Sequence, residues 1–317
     1  MSRFPRLRKM LQAIVIASLP LAATACCGPA PQEKRTEIID PEAPIYKPLV
    51  QACIADDLSC GDLCEEILRQ RGVEEVDSVS FQECRIMDQA ATQVQMTYTF
   101  PYDCVGGRRP DGLGGCLPDE QASPAAKWFA QMAHLEGAAV YAFANTARQL
   151  ARLGAPEELV KRAIVAADQE VVHAMLMTRL AREQGTEPPA VVVSEPDEMS
   201  LFELARENAV EGCVRETYGA LVATYQARTA REPHVRAALA RIADDETEHA
   251  ELSAAIDDWA MAQLSEHQRQ DIDDARDVAV QEVLASARKP VDPTLAQVIG
   301  LPDASTATTM ASALFAA

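Results

Sequence analysis

Positive charge is scarce in this 317-residue chain: 29 Lys and Arg stand against 48 Asp and Glu, a formal charge of −19. The first 25 residues hold four of the basic side chains (Arg3, Arg6, Arg8, Lys9) and no acid, so without them the charge is −23. A surface of this sign argues against nucleic acid or an anionic membrane face as a partner. A long hydrophobic run is also missing. The apolar stretch LQAIVIASLPLAA contains Pro20 and is too short to span a bilayer. Histidine is rare, at five, and none lies in the cysteine-rich segment. That segment lacks paired C-x-x-C knuckles as well, which leaves zinc there only as a rival reading.

What is present near the start reads as an export signal over residues 1–25: a basic opening, an apolar run and small residues before Cys26. Ala23-Thr24-Ala25-Cys26 has the form of a lipobox, which would lipidate Cys26 and attach the protein to a membrane. Ala23 stands where Leu is usual, so ordinary signal-peptidase cleavage is the competing reading. No twin arginine precedes the run, which points to the general secretory route. Cysteine usage agrees with export. Cys53, Cys60, Cys64, Cys84, Cys104 and Cys116 crowd one short segment, as expected of three disulfides in an oxidising compartment. Their connectivity stays open.

The chain then divides into a Pro-rich tether (26–48), a small Cys-rich α+β unit (49–118), a helical region (123–264) and a C-terminal helix with tail (265–317). Within the Cys-rich unit, TQVQMTYTF alternates like a strand, and VSFQECRI is its expected partner. GGRRPDGLGG reads as a turn-rich loop. From Ser123 onward helical periodicity dominates. Ser123 and Pro124 open a helix over about 124–153, and Gly154 and Pro156 separate it from one ending near Gln184. A second tight pair covers about 198–230 and 233–264. Ser265 and Gln268 form a capping box for a fifth helix ending near Ala287, and a short helix is expected near 303–315. The connection GTEPPAVVVSEPD is long. Extended at about 3.3 Å per residue it covers roughly 43 Å, the length of a helix of about 28 residues. Tight hairpin, long crossover and tight hairpin predict an all-α four-helix bundle of ferritin-like connectivity.

Two of these helices carry Glu-x-x-His: Glu170/His173 in ADQEVVHA and Glu246/His249 in ADDETEHA. A lone glutamate followed by glycine precedes each by one helix: Glu136 in HLEGAAVYAF and Glu211 in AVEGCVRETY. The separations are nearly equal, 34 residues from 136 to 170 and 35 from 211 to 246. Residues three apart on a helix point the same way, so each Glu and His can converge on one ion. The expected inward stripes are Met132, Glu136, Ala139, Val140 and Phe143; then Val160, Ile164, Ala167, Glu170/Val171, His173/Ala174 and Met177. The third is Glu207, Glu211, Val214, Tyr218, Leu221 and Tyr225, and the fourth Leu239, Ile242, Glu246, His249, Leu252 and Ile256. Carboxylates buried in an apolar core need a cation or a proton. Two divalent ions balance four glutamates and leave the imidazoles neutral. Gly137 and Gly212, each costing about 1 kcal/mol against Ala in mid-helix, suggest close helix approach or a local bulge.

Metal-bound histidines donate their other N–H to an outer acceptor. Asp245 is the expected acceptor for His173, and Gln169 for His249. Tyr218, two turns beyond Glu211, is the candidate catalytic side chain, placed to hydrogen-bond a ligand carboxylate. Glu207 is either an end-of-stripe surface residue or an extra ligand. Glu216, five residues after Glu211, falls away from the stripe by α-helical count. His134 faces elsewhere than Glu136, Cys213 reads as a small core residue, and Trp128 and Trp259 as packing.

Over about 124–264 the chain resembles the rubrerythrin and ferritin-like superfamily, on Glu136, Glu170-x-x-His173, Glu211 and Glu246-x-x-His249. It also resembles loosely characterised bacterial ferritin-like proteins through ENAVEGCVRETYGAL. The resemblance implies a centre of two Fe ions, with Mn, Zn or a mixed pair as alternatives, reacting with dioxygen or peroxide. No rubredoxin-like Cys-x-x-Cys follows the helices, so the electron donor must be another molecule. Gln169 replaces the Asp that often precedes the first metal-binding Glu. The implied partners are a small-molecule oxidant and that donor, with a homodimer as the candidate assembly. Three functions compete: a di-iron oxidoreductase of peroxidase or ferroxidase type, an exported non-redox holder of divalent metal, and a surface scaffold or adhesion lipoprotein facing the periplasm or cell surface.

Overall fold

The computed structural model of the chain describes residues 5–18, 32–39, 47–54, 63–64, 66–67, 80–86, 94–101, 108–110, 113, 122–193, 196–289 and 291–316. Its contacts divide into two units, one of residues 1–29 and 104–317, the other of residues 30–103.

The smaller unit holds β1 (Gln32–Ile39), α2 (Lys47–Ile54), β2 (Ser80–Ile86) and β3 (Val94–Pro101). The sheet order is β1-β3-β2, with both pairings antiparallel. The expected β2–β3 partnership is present, with a register shift between Phe81 and Glu83. Residues 32–39 were expected in a tether and instead pair along β3. Their charged sequence has no strong alternation of its own, and the open edge of β3 makes the strand. Cys26, Cys60, Cys104 and Cys116 lie outside the described residues, Cys53 and Cys84 fall in α2 and β2, and Cys64 is disulfide-bonded.

The larger unit has helices and no strand among its described residues. It comprises α1 (Pro5–Ser18), α3 (Pro124–Arg152), α4 (Glu157–Glu183), α5 (Leu201–Glu207), a π-helix (Asn208–Glu216), α6 (Thr217–Thr229), α7 (Pro233–Met261), α8 (Glu266–Ala287), α9 (Pro293–Val298) and α10 (Ala304–Phe315). Ser123 caps α3 by accepting from the Ala126 amide, with Pro124 in the first turn. Gly154, at φ 75°, turns the chain into α4, and a φ of this sign suits glycine. Capping boxes open α5, through Ser200 and Glu203, and α8, through Ser265 and Gln268.

α3 packs along α4, α6 along α7, and α4 against α7. The long link after α4 runs beside α3. Pro189 carbonyl lies 3.4 Å from His134 Nδ1. Gln149 Nε2 donates to Asp197 carbonyl at 2.8 Å, and Gln149 Oε1 accepts from the Met199 amide at 3.2 Å. One buried glutamine thus satisfies the extended backbone at both faces of its amide.

Three apolar clusters organise the helices among the described residues. Phe143, Leu150, Leu159, Ala163, Leu204, Leu252 and Ile256 join α3, α4, α5 and α7. A second cluster joins α6 to α1, α8 and α10 through Tyr218, Leu221, Leu11, Val15, Val283 and Met310. A third joins α5, the π-helix, α7 and α8 through Ala205, Ala209, Ala260 and Ile272. On α4 the buried line is Leu159, Ala163, Ala166, Glu170, His173 and Met177. Ile164 and Val171, expected inward, are half-exposed, so this stripe sits one residue from the expected one. No helix among the described residues is long and apolar enough to cross a membrane.

Candidate metal centre

Burial collects six titratable side chains from four segments. Glu136 comes from α3, Glu170 and His173 from α4, Glu216 from the end of the π-helix, and Glu246 and His249 from α7; all are buried. They form two overlapping groups, in each of which the ligand atoms lie within 4.8 Å of one another. One contains Glu136, Glu170, His173 and Glu246; the other Glu170, Glu216, Glu246 and His249. Glu170 and Glu246 belong to both.

The histidine orientations follow from their outer contacts. His173 Nε2 lies 3.1 Å from Asp245 Oδ2, an atom that can only accept, so Nε2 carries the proton. His249 Nε2 lies 3.0 Å from Gln169 Oε1. The amide of Gln169 is turned that way because its Nε2 donates to Asp245 Oδ1 and to Glu248 Oε2, each at 3.2 Å. Each residue preceding a Glu-x-x-His glutamate therefore reaches across to the other helix's histidine. Both Nδ1 atoms face the carboxylates: His173 Nδ1 is 3.4 Å from Glu170 and from Glu246, and His249 Nδ1 is 3.1 Å from Glu170.

The inward atoms have no hydrogen-bond partners. Glu136 Oε2, Glu216 Oε1, both oxygens of Glu170 and of Glu246, and Nδ1 of each histidine are buried without one. Native interiors rarely leave such groups unmatched. Carboxylate oxygen and imidazole nitrogen are the donor set of divalent first-row metals, and these residues can hold a metal ion.

Charge in the cluster is balanced by protons when no cation is counted. Burial would lower the His173 imidazole, but the Glu170 and Glu246 carboxylates 3.4 Å from Nδ1 overcome it and push it up to about 12. His249 is likewise raised against burial, by Glu170 and Glu246. Glu136 is pushed up by burial and then by Glu170 and Glu246. Burial raises Glu216, partly offset by Arg108. Burial opposes ionisation of Glu170, yet contacts to His173 and His249 hold it below the usual range. Glu246 is also held down by the two histidines, against burial and Glu170. The raised histidines and the raised Glu136 and Glu216 all lessen the negative charge of the cluster, the role that divalent ions would otherwise take.

The third segment is arranged otherwise than expected. Glu211 lies outside both groups: one of its oxygens pairs with Arg215, which also reaches Glu282 at 3.0 Å, and Oε2 is buried without a hydrogen-bond partner. Glu216, expected to point away, is the carboxylate that enters. In an α-helix five residues subtend roughly 140° beyond a full turn. The i→i+5 bonding of Asn208–Glu216 brings such positions closer to register. The phase shift also moves Tyr218 out of the site and into the apolar layer with Leu11, Leu221 and Met310, where burial raises its hydroxyl. Glu207 also lies outside both groups and accepts from Arg108 Nε at 3.0 Å and Nη2 at 2.7 Å.

Local contacts hold the π-helix. Asn208 Nδ2 donates to Ser253 carbonyl at 2.9 Å, and Ser253 Oγ donates to Glu216 Oε2 at 3.3 Å. A Cβ on Gly212 would fall 2.7 Å from Ser253 Cβ, so α7 approaches here only because residue 212 is glycine. Gly137 serves differently, giving room to Val191 of the crossover.

Arg108 was missed altogether. The loop reading of GGRRPDGLGG gave no reason to bury it, yet its side chain is 0% exposed. It lies 5.5 Å from the Phe143 ring centre, and that ring is 4.8 Å from the His249 ring. The sequence signal was weak: two adjacent arginines in a turn. For Glu216 there was one usable signal, the glutamate pair five residues apart around a mid-helix glycine.

No family model matches the chain, and neither a curated protein nor a solved structure matches it.

Proposed function

We propose that this chain is a ferritin-like, rubrerythrin-like carboxylate protein whose four-helix bundle holds two metal ions, with iron as the resident metal. The observation that carries the reading is the set of buried ligand atoms of Glu136, Glu170, His173, Glu216, Glu246 and His249 that converge without hydrogen-bond partners. Glu136 and His173 would hold one ion and Glu216 and His249 the other, with Glu170 and Glu246 belonging to both groups of ligand atoms. Four carboxylates and two divalent cations then sum to zero charge in an apolar interior, as burial demands. Asp245 and Gln169 keep the Nε2 protons in place, so that each Nδ1 lone pair faces inward.

Bound as iron, the pair supplies redox chemistry toward a small oxidant such as peroxide or dioxygen. The protein's own part is to exclude bulk water, through Phe143, Leu252 and their neighbours, and to present fixed ligands. Electrons come from a separate donor. Export as a lipoprotein through Cys26 is part of the proposal, supported by the residue pattern of 1–26 and by a disulfide at Cys64; cleavage there would take α1 out of the apolar layer in which Leu11 and Val15 meet α6, α8 and α10.

The test is reconstitution of the full chain with Fe(II) followed by H₂O₂. Fast oxidation above the free-iron rate is expected, and Glu170→Ala and Glu246→Ala each abolish it. Oxidation no faster than free iron, in protein shown to bind two ions, would favour a redox-inert metal holder instead. A folded native preparation free of metal would remove both readings.

A further inference from the structure

The two halves of the centre carry equivalent ligands but unequal surroundings. A buried cation stands beside one of them. Arg108 contacts Glu207, Asn208 and the face of Phe143, and its Nη1 is buried without a hydrogen-bond partner. A chain of hydrogen bonds leads onward. Arg108 Nη2 donates to Asn208 Oδ1 at 3.1 Å, Asn208 Nδ2 to Ser253 carbonyl, and Ser253 Oγ to Glu216 Oε2. The counter-ion does not cancel the effect. The Arg108 side chain is 0% exposed and that of Glu207 is 22% exposed, so the pair lies with its positive end inward. Its field acts through protein interior, where charges are weakly screened.

The Glu136 half has a different neighbourhood. On that side, among the described residues, Arg241 lies 3.7 Å from Asp245 and is 58% exposed, so solvent screens it. The supply of ligand atoms does not make this difference, since each half leaves one orphaned carboxylate oxygen, Glu136 Oε2 and Glu216 Oε1.

We infer that Arg108 makes the two metal positions unequal: the position formed by Glu136 and His173 fills first, and the one formed by Glu216 and His249 holds its divalent cation more weakly. The inference rests on the metal reading above. Arg108 is a positioning and field residue that touches neither ion. It comes from the segment that precedes α3, so a residue outside the ligand-bearing helices sets how evenly their site loads.

The experiment uses the full chain stripped of metal and given one equivalent of Co(II), with occupancy at each position read by anomalous scattering at the cobalt edge. In the wild type the Glu136/His173 position is expected to exceed the other by about tenfold (~1.4 kcal/mol). Replacing the ion pair by apolar side chains, Arg108→Met with Glu207→Leu, brings the ratio to about twofold or less, and Arg108→Lys, which keeps the charge, preserves the preference. Should the double variant not fold, Glu207→Gln leaves the guanidinium uncompensated and widens the ratio. Equal or reversed occupancy in the wild type overturns the inference, as does a ratio indifferent to all these variants. No cobalt at either position overturns the metal reading itself, a distinguishable result.

Discussion

The helical pair α3–α4 and the pair formed by the π-helix, α6 and α7 build matching halves of one site by different means. In the first, Glu136 sits on a regular helix, and its following glycine only makes room for Val191 of the crossover. In the second, the corresponding carboxylate is Glu216, at the end of nine residues of π-helix held by Asn208, Gly212 and Ser253. The separations differ accordingly, 34 residues from Glu136 to Glu170 and 30 from Glu216 to Glu246. Equivalent ligand positions need equivalent places in space, not equal counts along the chain. A π-helix is one way to change the phase of a helix without changing its direction.

The sharpest break in this comparison comes from the two rival glutamates. Glu216→Ala is expected to cost one of two ions, with affinity for the second lowered more than about 100-fold, whereas Glu211→Ala retains both. Metal stoichiometry by elemental analysis after dialysis reads the difference. If Glu211→Ala loses an ion and Glu216→Ala does not, the π-helix assignment of the ligand is wrong.

A smaller effect should appear, equally in both halves, at the outer contacts. Asp245→Ala frees His173 and Gln169→Ala frees His249, and each should lower metal affinity by about 10–100-fold. Calorimetric titration with Co(II) measures this. A loss confined to one of the two variants would show that the reciprocal contacts are not equivalent.

The glycines separate the two halves by stability. Gly212→Ala forces Cβ against Ser253 and is expected to destabilise by about 1–3 kcal/mol, as overpacking does. Gly137→Ala meets only the end of the Val191 side chain, so its cost is expected at about 1 kcal/mol or less after that side chain shifts. Urea unfolding of both variants gives the two values, and equal losses would refute the contrast.

The weakest effect concerns pH and metal removal. In metal-free protein His173 is raised to about 12 and His249 is also raised, while Glu136 and Glu216 sit above the usual carboxylate range. The folded state therefore binds more protons than the unfolded chain at and above neutral pH, and the histidine contribution to stability is full only below the unfolded value near 6.5. Tm of the metal-free protein should fall as pH rises from 6 to 9. Metal loading, which replaces those protons, should release them and become tighter over the same range. A metal-free Tm that rises across this window would contradict the proton-balanced cluster.

Much of the site was legible because α-helices make it so. Glu170, His173, Glu246 and His249 lie at the i, i+3 spacing that aims both groups one way, on helices whose other inward positions are apolar. The contacts of Asp245 and Gln169 come from the same geometry, each being one residue before a ligand and so turned toward the neighbouring helix. Where the chain departed from α-helical phase, the reading went astray. Glu211 and Tyr218 were placed by a count that the π-helix invalidates. On α4 a small rotation put Ile164 and Val171 at the surface. Arg108 and β1 were invisible for another reason: both owe their state to partners far along the chain, Glu207 for one and β3 for the other.

By itself the amino-acid order determined the helices, their caps, the tight turns and the long link, since each follows from side chains within a few residues of one another. It also determined the kind of chemistry, because carboxylates and imidazoles on apolar helix faces need cations or protons to be buried. Only the tertiary structure decided which glutamate completes the second half, and that a guanidinium from a distant loop lies beside it. Both depend on close approach of separate segments. There the space left by Gly212 and the bonds of Asn208 and Ser253 outweigh the modest local preference for a regular helix.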